Sequence, residues 1–114
     1  MSVTMWHNPR CSKSRQTLDL LRENGVDPRI VEYLKTPPSA DEISAVLGLL
    51  GIDARALMRT KEAVYKELNL GGVDSEAALI SAMTKNPTLI ERPVVLANGK
   101  AAIGRPPEAV LDIL

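Results

Sequence analysis

Apolar and β-branched side chains crowd into a short opening run, "SVTMWH" (Ser2 to His7), which stops at Asn8-Pro9, a turn signal. This predicts a first strand. From Cys11 to Asn24 the spacing becomes helical: Ser14, Leu18 and Leu21 fall on one face with Leu20 beside them, and Gly25 sits where a helix C-terminus accepts glycine. "RIVEYL" (Arg29 to Leu34) predicts a second strand, stopped by "TPP". Strand, helix and strand in this order favour a parallel pair.

The middle of the chain reads as a helical block. Ser39 and Glu42 form a capping box before Ile43, Val46, Leu47 and Leu50, with Gly51 as the stop. Asp53 caps a short helix through Met58, Lys61 to Leu68 predicts another, and Ser75 to Lys85 a further one closed by Asn86-Pro87. "VYKELNLGG" (Val64 to Gly72) reads as a surface helix ending in a flexible turn in preference to a mobile lid. After Arg92-Pro93, "VVLA" and "KAAI" flank Asn98-Gly99, a strong hairpin signal. Gly104-Arg105-Pro106-Pro107 then leads into "EAVLDIL", where proline and Glu108 suit the first turn of a final helix.

The predicted order is β, α, β, helical block, β, β, α. It implies an α/β fold with a mixed four-stranded sheet, helices packed on it, and a helical insertion at about 39–86 between the βαβ and ββα halves. A chain of 114 residues, 45% hydrophobic and 25% charged, is the size of one domain, 1–114. One Trp, two Tyr and no Phe make its core aliphatic.

Charge narrows the partners. Lys plus Arg and Asp plus Glu number 14 each, so no overall field holds the molecule on a polyanion, and nucleic acid is not an expected partner. No apolar run approaches the roughly 18 residues of a membrane span. The opening residues lack a basic n-region and an apolar h-region, and one cysteine excludes an intrachain disulfide, so a cytoplasmic, reducing location is expected.

That single cysteine is the candidate for chemistry. Backbone N–H groups in a helix's first turn have no intrahelical partners and concentrate positive potential, which stabilises a thiolate and docks an anion beside it. A thiol of pKa 8.5 is about 3% ionised at pH 7, whereas one near 6.5 is about 75% thiolate. Arg10, Lys13 and Arg15 add local positive charge. The competing reading makes Cys11 a small buried apolar filler. His7, four residues before the thiol, either tunes it or holds the strand end.

"CSKS" has Ser14 where a dithiol redox helix carries its second cysteine, so a resolving thiol must come from outside. Cysteine phosphatases need arginine six residues after the nucleophile, and here that position is Thr17. Arg92 and Arg105 each precede proline, which biases both to extended backbone. Guanidinium groups grip tetrahedral oxyanions in bidentate fashion, so arginines near a thiolate at a helix N-terminus describe an oxyanion site. Arg59, after "RALM", is equally a C-terminal charge on its helix.

The segments "HNPRCSKSR" (7–15), "YLKTPPS" (33–39), "ALMR" (56–59), "ERPVV" (91–95) and "GRPPEAVLDIL" (104–114) resemble the glutaredoxin-dependent arsenate reductase family, of thioredoxin-like fold. The resemblance implies Cys11 as catalytic cysteine, His7 helping to keep it ionised, and Arg59, Arg92 and Arg105 holding the arsenic oxyanion, with Ser14 counted among the substrate-binding residues. It also implies a cis peptide at Arg92-Pro93, arsenate or a similar oxyanion as substrate, glutathione as co-substrate and glutaredoxin as partner, with no bound cofactor and no metal. Longer family members continue past the final helix with a further segment. Two other readings share the scaffold: a monothiol glutathione-linked oxidoreductase of another substrate, and a non-catalytic relative of transcription regulators that bind RNA polymerase. Redox-switch versions of the latter carry a C-x-x-C pair, which Ser14 interrupts.

Overall fold

The computed structural model describes residues 2–114, which form two compact units. One unit contains the chain through Thr36 together with Arg92–Leu114; the other is Pro37–Glu91.

In the first unit β1 (Val3–Trp6) leads through the Asn8-Pro9 turn into α1 (Ser12–Glu23), followed by β2 (Arg29–Val31). After residue 91 come β3 (Val94–Ala97), β4 (Lys100–Ile103) and a 3₁₀ helix, Pro107–Ile113. The strands make one four-stranded sheet in the order β2-β1-β3-β4. β1 pairs parallel with β2, Met5 opposite Ile30, and antiparallel with β3, Met5 opposite Val95; β3 and β4 are antiparallel. This is the mixed four-stranded sheet that the element order implies, and it agrees with the thioredoxin-like fold that the resemblance implies.

Alternation along β1 sends Val3 and Met5 to one face, where they join Leu21, Val95, Ala97, Val110 and Ile113 in a single buried cluster. Burying such a side chain contributes roughly 1.5–3 kcal/mol. These contacts clamp α1 and the C-terminal 3₁₀ helix to the sheet and thereby fix where the first turn of α1 stands.

Three details differ from the sequence reading. The final helix is 3₁₀ rather than α: its buried residues, Pro107, Val110 and Ile113, recur every third position, the period of a 3₁₀ turn. β2 ends at Val31 instead of Leu34, because the Glu32 carbonyl collects the N–H groups of both Lys35 and Thr36 and turns the chain. Cys11 is the N-cap of α1, not its first helical residue. The Asn98-Gly99 hairpin is as expected, with φ of 54° and 70° at the two turn residues, the primed geometry that matches strand twist. The peptides before Pro93 and Pro106 are both cis; the first was expected, the second was not.

The second unit holds α2 (Ala40–Leu50), α3 (Ala54–Leu57), α4 (Ala63–Glu67) and α5 (Glu76–Lys85), with 3₁₀ turns at Leu70–Gly72 and Pro87–Leu89. It contains the helical insertion expected at 39–86. The Ser39–Glu42 capping box starts α2, and the Asp53 and Ser75 side chains cap α3 and α5. The segment Val64–Gly72 is tied down rather than loose: the Arg55 guanidinium donates to the Tyr65 hydroxyl and to the carbonyls of Leu70, at 3.0 Å, and Val73. No helix among the described residues is long and apolar enough to cross a membrane.

Candidate active site

The turn after β1 is built by its own polar groups. Asn8 accepts the Arg10 N–H on its side-chain oxygen at 3.0 Å, and its carbonyl accepts the Cys11 N–H at 3.0 Å. The chain is thereby folded back so that Cys11 starts α1 with extended backbone, φ −92° and ψ 123°, and no hydroxyl or carboxylate cap. The unpaired N–H groups of the first helical turn are left to the sulfur.

Cys11 is 8% exposed, which alone suits the filler reading, but its surroundings are polar. Burial pushes the thiol pKa up. It is outweighed by the Ser14 N–H bonded to sulfur, by the charge and hydrogen bond of the Arg92 guanidinium, and by the Lys13 N–H, so the pKa lies below its ordinary value. Arg105 adds a second guanidinium, Nη2 at 3.6 Å from Sγ. Its Nε donates to the Arg92 carbonyl at 2.8 Å, which ties the two arginine segments together. The positive charge near the sulfur is thus long-range in sequence. Arg10, Lys13 and Arg15, expected to supply it, are exposed, and Arg15 donates to the Pro9 carbonyl at 2.9 Å.

His7 reaches the thiol through Ser14. Its Nδ1 lies 2.6 Å from the Ser14 hydroxyl, which also accepts the Asn8 N–H at 3.0 Å. Burial lowers the His7 pKa, Glu32 opposes this, and Arg22 and Arg15 reinforce it. A neutral imidazole accepting the hydroxyl proton at Nδ1 satisfies all three groups. Ser14 was expected among the substrate-binding residues. Its side chain is instead fully buried, and its hydroxyl is occupied by His7 and Asn8, so the residue serves the site through its main-chain N–H.

Cys11, His7, Ser14, Arg92 and Arg105 therefore form one cluster within the first unit. Arg59 belongs to the second, where its Nη1 donates to Glu62 at 2.8 Å and its N–H to the Leu89 carbonyl at 2.7 Å. Its observed partner is a carboxylate. Thr17 has no role in the sequence reading beyond the phosphatase comparison, yet it is fully buried in the second turn of α1 and donates to the Lys13 carbonyl at 2.8 Å. The available signal was its helical spacing, three residues after Ser14 and four before Leu21, on the inward face of α1.

Such a site, one sulfur held toward its anion by helix N–H groups and flanked by two guanidiniums, defines a monothiol member of the thioredoxin-like class, equipped to attack or bind an oxyanion. Residues 6–113 match the ArsC family, and the chain belongs to that family. It is 60% identical over 114 residues to YfgD of Escherichia coli, described as uncharacterized, covering 98% of this chain and 96% of that one. It is 51% identical to a Haemophilus influenzae protein named arsenate reductase, with both chains covered in full. Among solved structures, an arsenate reductase from Vibrio cholerae superposes with a TM-score of 0.97 at 53% identity, covering 100% of this chain and 98% of that one.

Proposed function

We propose that the protein is an arsenate reductase in which Cys11 is the nucleophile. The observation that carries this reading is the juxtaposition of a thiol with lowered pKa and two guanidinium groups, Arg92 and Arg105. Relatives named arsenate reductase that match over the full chain support the choice of oxyanion.

The Cys11 thiolate attacks the arsenic of arsenate. A sulfur–arsenic bond forms and one arsenate oxygen leaves as water, taking its protons from solvent. Arg92 and Arg105 seat the oxyanion and offset its charge as the anionic sulfur approaches. Reduction of As(V) to As(III) needs two electrons, which come from two thiols that end as one disulfide. The chain has one cysteine, so the second thiol is external. We assign that role to glutathione, with glutaredoxin completing the return of Cys11 to its free form as arsenite is released. A cytoplasmic location fits a nucleophile that must stay reduced.

The test is arsenate-dependent NADPH consumption with glutathione, glutaredoxin and glutathione reductase supplied. Wild type turns over and Cys11→Ser does not. Omitting glutaredoxin slows the wild-type reaction. Activity that persists in Cys11→Ser would end the proposal, and arsenate-independent reduction of a glutathione mixed disulfide would favour the monothiol oxidoreductase reading.

A further inference from the structure

Behind the site lies a crowded contact. Gly104, between β4 and the C-terminal 3₁₀ helix, is buried and hydrogen-bonds the Pro93 carbonyl through its N–H at 2.9 Å. A methyl group placed on its α-carbon would stand 2.6 Å from Thr17 Oγ1, 2.7 Å from Pro93 Cγ and 3.1 Å from Thr17 Cγ2. Its φ is outside the left-handed region, so the backbone conformation does not require glycine; the space does.

We propose that Gly104 is a positioning residue for the reaction: its missing side chain lets the Arg105 segment close onto Thr17 and Pro93, and that closeness sets the guanidinium against the Cys11 sulfur. Both walls are stiff. The Thr17 hydroxyl is committed to the Lys13 carbonyl at 2.8 Å and its side chain is fully buried, while Pro93 is a rigid ring immediately before β3. A side chain at position 104 therefore displaces the 104 backbone in preference to its neighbours.

Displacement there is passed directly to Arg105, whose N–H is bonded to the Ile103 carbonyl at 2.8 Å. The Arg105 Nη2–Sγ separation of 3.6 Å leaves little slack for a hydrogen bond. Thr17 lies on the helix whose first turn holds the sulfur, and Lys13, whose carbonyl it binds, donates its own N–H to that sulfur. Gly104 and Thr17 thus form the gauge between the element carrying the nucleophile and the element carrying the arginine. A shift of about 1 Å between reacting groups can cost on the order of 100-fold in rate.

The experiment compares wild type, Gly104→Ala and the double variant Gly104→Ala/Thr17→Ala. It reads the midpoint of Cys11 alkylation against pH, KM and kcat for arsenate, and thermal stability. Gly104→Ala is expected to raise the alkylation midpoint and to raise the arsenate KM by about tenfold or more, because a charge pair loosens with distance. The double variant removes both Thr17 atoms from the crowded space but leaves the Pro93 Cγ contact, so it returns both quantities part of the way toward wild type.

A Gly104→Ala protein that melts earlier yet keeps the wild-type midpoint and KM would overturn the proposal, since that is the mark of packing alone. So would a defect that Thr17→Ala fails to relieve. If Gly104→Ala does not fold, the double variant decides: a midpoint closer to wild type than that of Arg105→Ala supports the gauge, and one displaced as far as in Arg105→Ala contradicts it. The KM arm rests on arsenate reduction, whereas the alkylation midpoint is measured without arsenate. A wild type inactive on arsenate would therefore sink the proposed function and leave this inference to be judged by the thiol alone.

Discussion

Arg105 Nη2 lies 3.6 Å from Cys11 Sγ although 94 positions separate the two residues. The sheet makes the encounter: β3 returns antiparallel beside β1, so the chain leaving the β3–β4 hairpin passes the end of the strand that delivers the thiol. An isolated helix N-terminus lowers a thiol's pKa to a degree. Bringing cations from across the fold adds charge that also complements an oxyanion.

Arg92→Ala and Arg105→Ala should each raise the pH midpoint of Cys11 alkylation, by about one unit for the residue in closest interaction. Iodoacetamide labelling followed by mass spectrometry reads this directly. Arg105→Lys should keep much of the charge effect but lose arsenate affinity, because an ammonium cannot replace the planar fork. Identical arsenate KM values in Arg105→Lys and wild type would contradict the assignment.

Ser14→Ala removes the buried hydroxyl that serves His7 Nδ1 at 2.6 Å and the Asn8 N–H at 3.0 Å. Leaving buried polar partners unsatisfied should cost roughly 1–3 kcal/mol, measured as a lower urea midpoint at unchanged m. The main-chain N–H of residue 14 remains, so the alkylation midpoint should move less than in Arg92→Ala. A larger shift in Ser14→Ala would mean that the hydroxyl acts on the sulfur directly.

His7 makes stability depend on pH in a defined direction. In the unfolded chain the imidazole takes up its proton near pH 6.5, whereas burial lowers the folded-state pKa. Protons therefore favour the unfolded chain. The His7 contribution is fully present above pH 6.5 and is lost as pH falls through the lowered folded value. The stability difference between wild type and His7→Gln, followed by urea unfolding across this range, should shrink toward acid. A difference that grows on acidification would show the folded pKa to be raised instead.

Much of this was legible because the signals are local. The Ser39–Glu42 capping box, the Asn98-Gly99 hairpin and the Asn8-Pro9 turn each involve neighbours within a few residues, and each is found as read. The proline and Glu108 signals of the last helix mark its start without fixing its period, and Pro107, Val110 and Ile113 repeat every three, the 3₁₀ spacing. Ser14 was noticed for lacking a thiol, yet its actual partner is His7, on the far side of the turn. The Gly104–Thr17 approach joins the C-terminal part of the sheet to α1, and no spacing in the sequence announces such a contact.

Arg55 holds the Val64–Gly72 segment by donating to Tyr65, Leu70 and Val73. Arg55→Met should accelerate backbone hydrogen exchange across that segment, where the Leu68, Asn69, Gly72 and Val73 N–H groups close short turns. Exchange in the interior of α2, which starts from its own capping box, should change less. Equal acceleration in both would show the unit to open as a whole.

The proposed chemistry depends most on the ionisation of one sulfur, and the pH dependence of wild-type Cys11 alkylation measures it. The Ser14 and Lys13 N–H groups and the Arg92 guanidinium predict a midpoint below the roughly 8.5 of an ordinary thiol. A midpoint at or above that value would show burial to dominate and would contradict the claim.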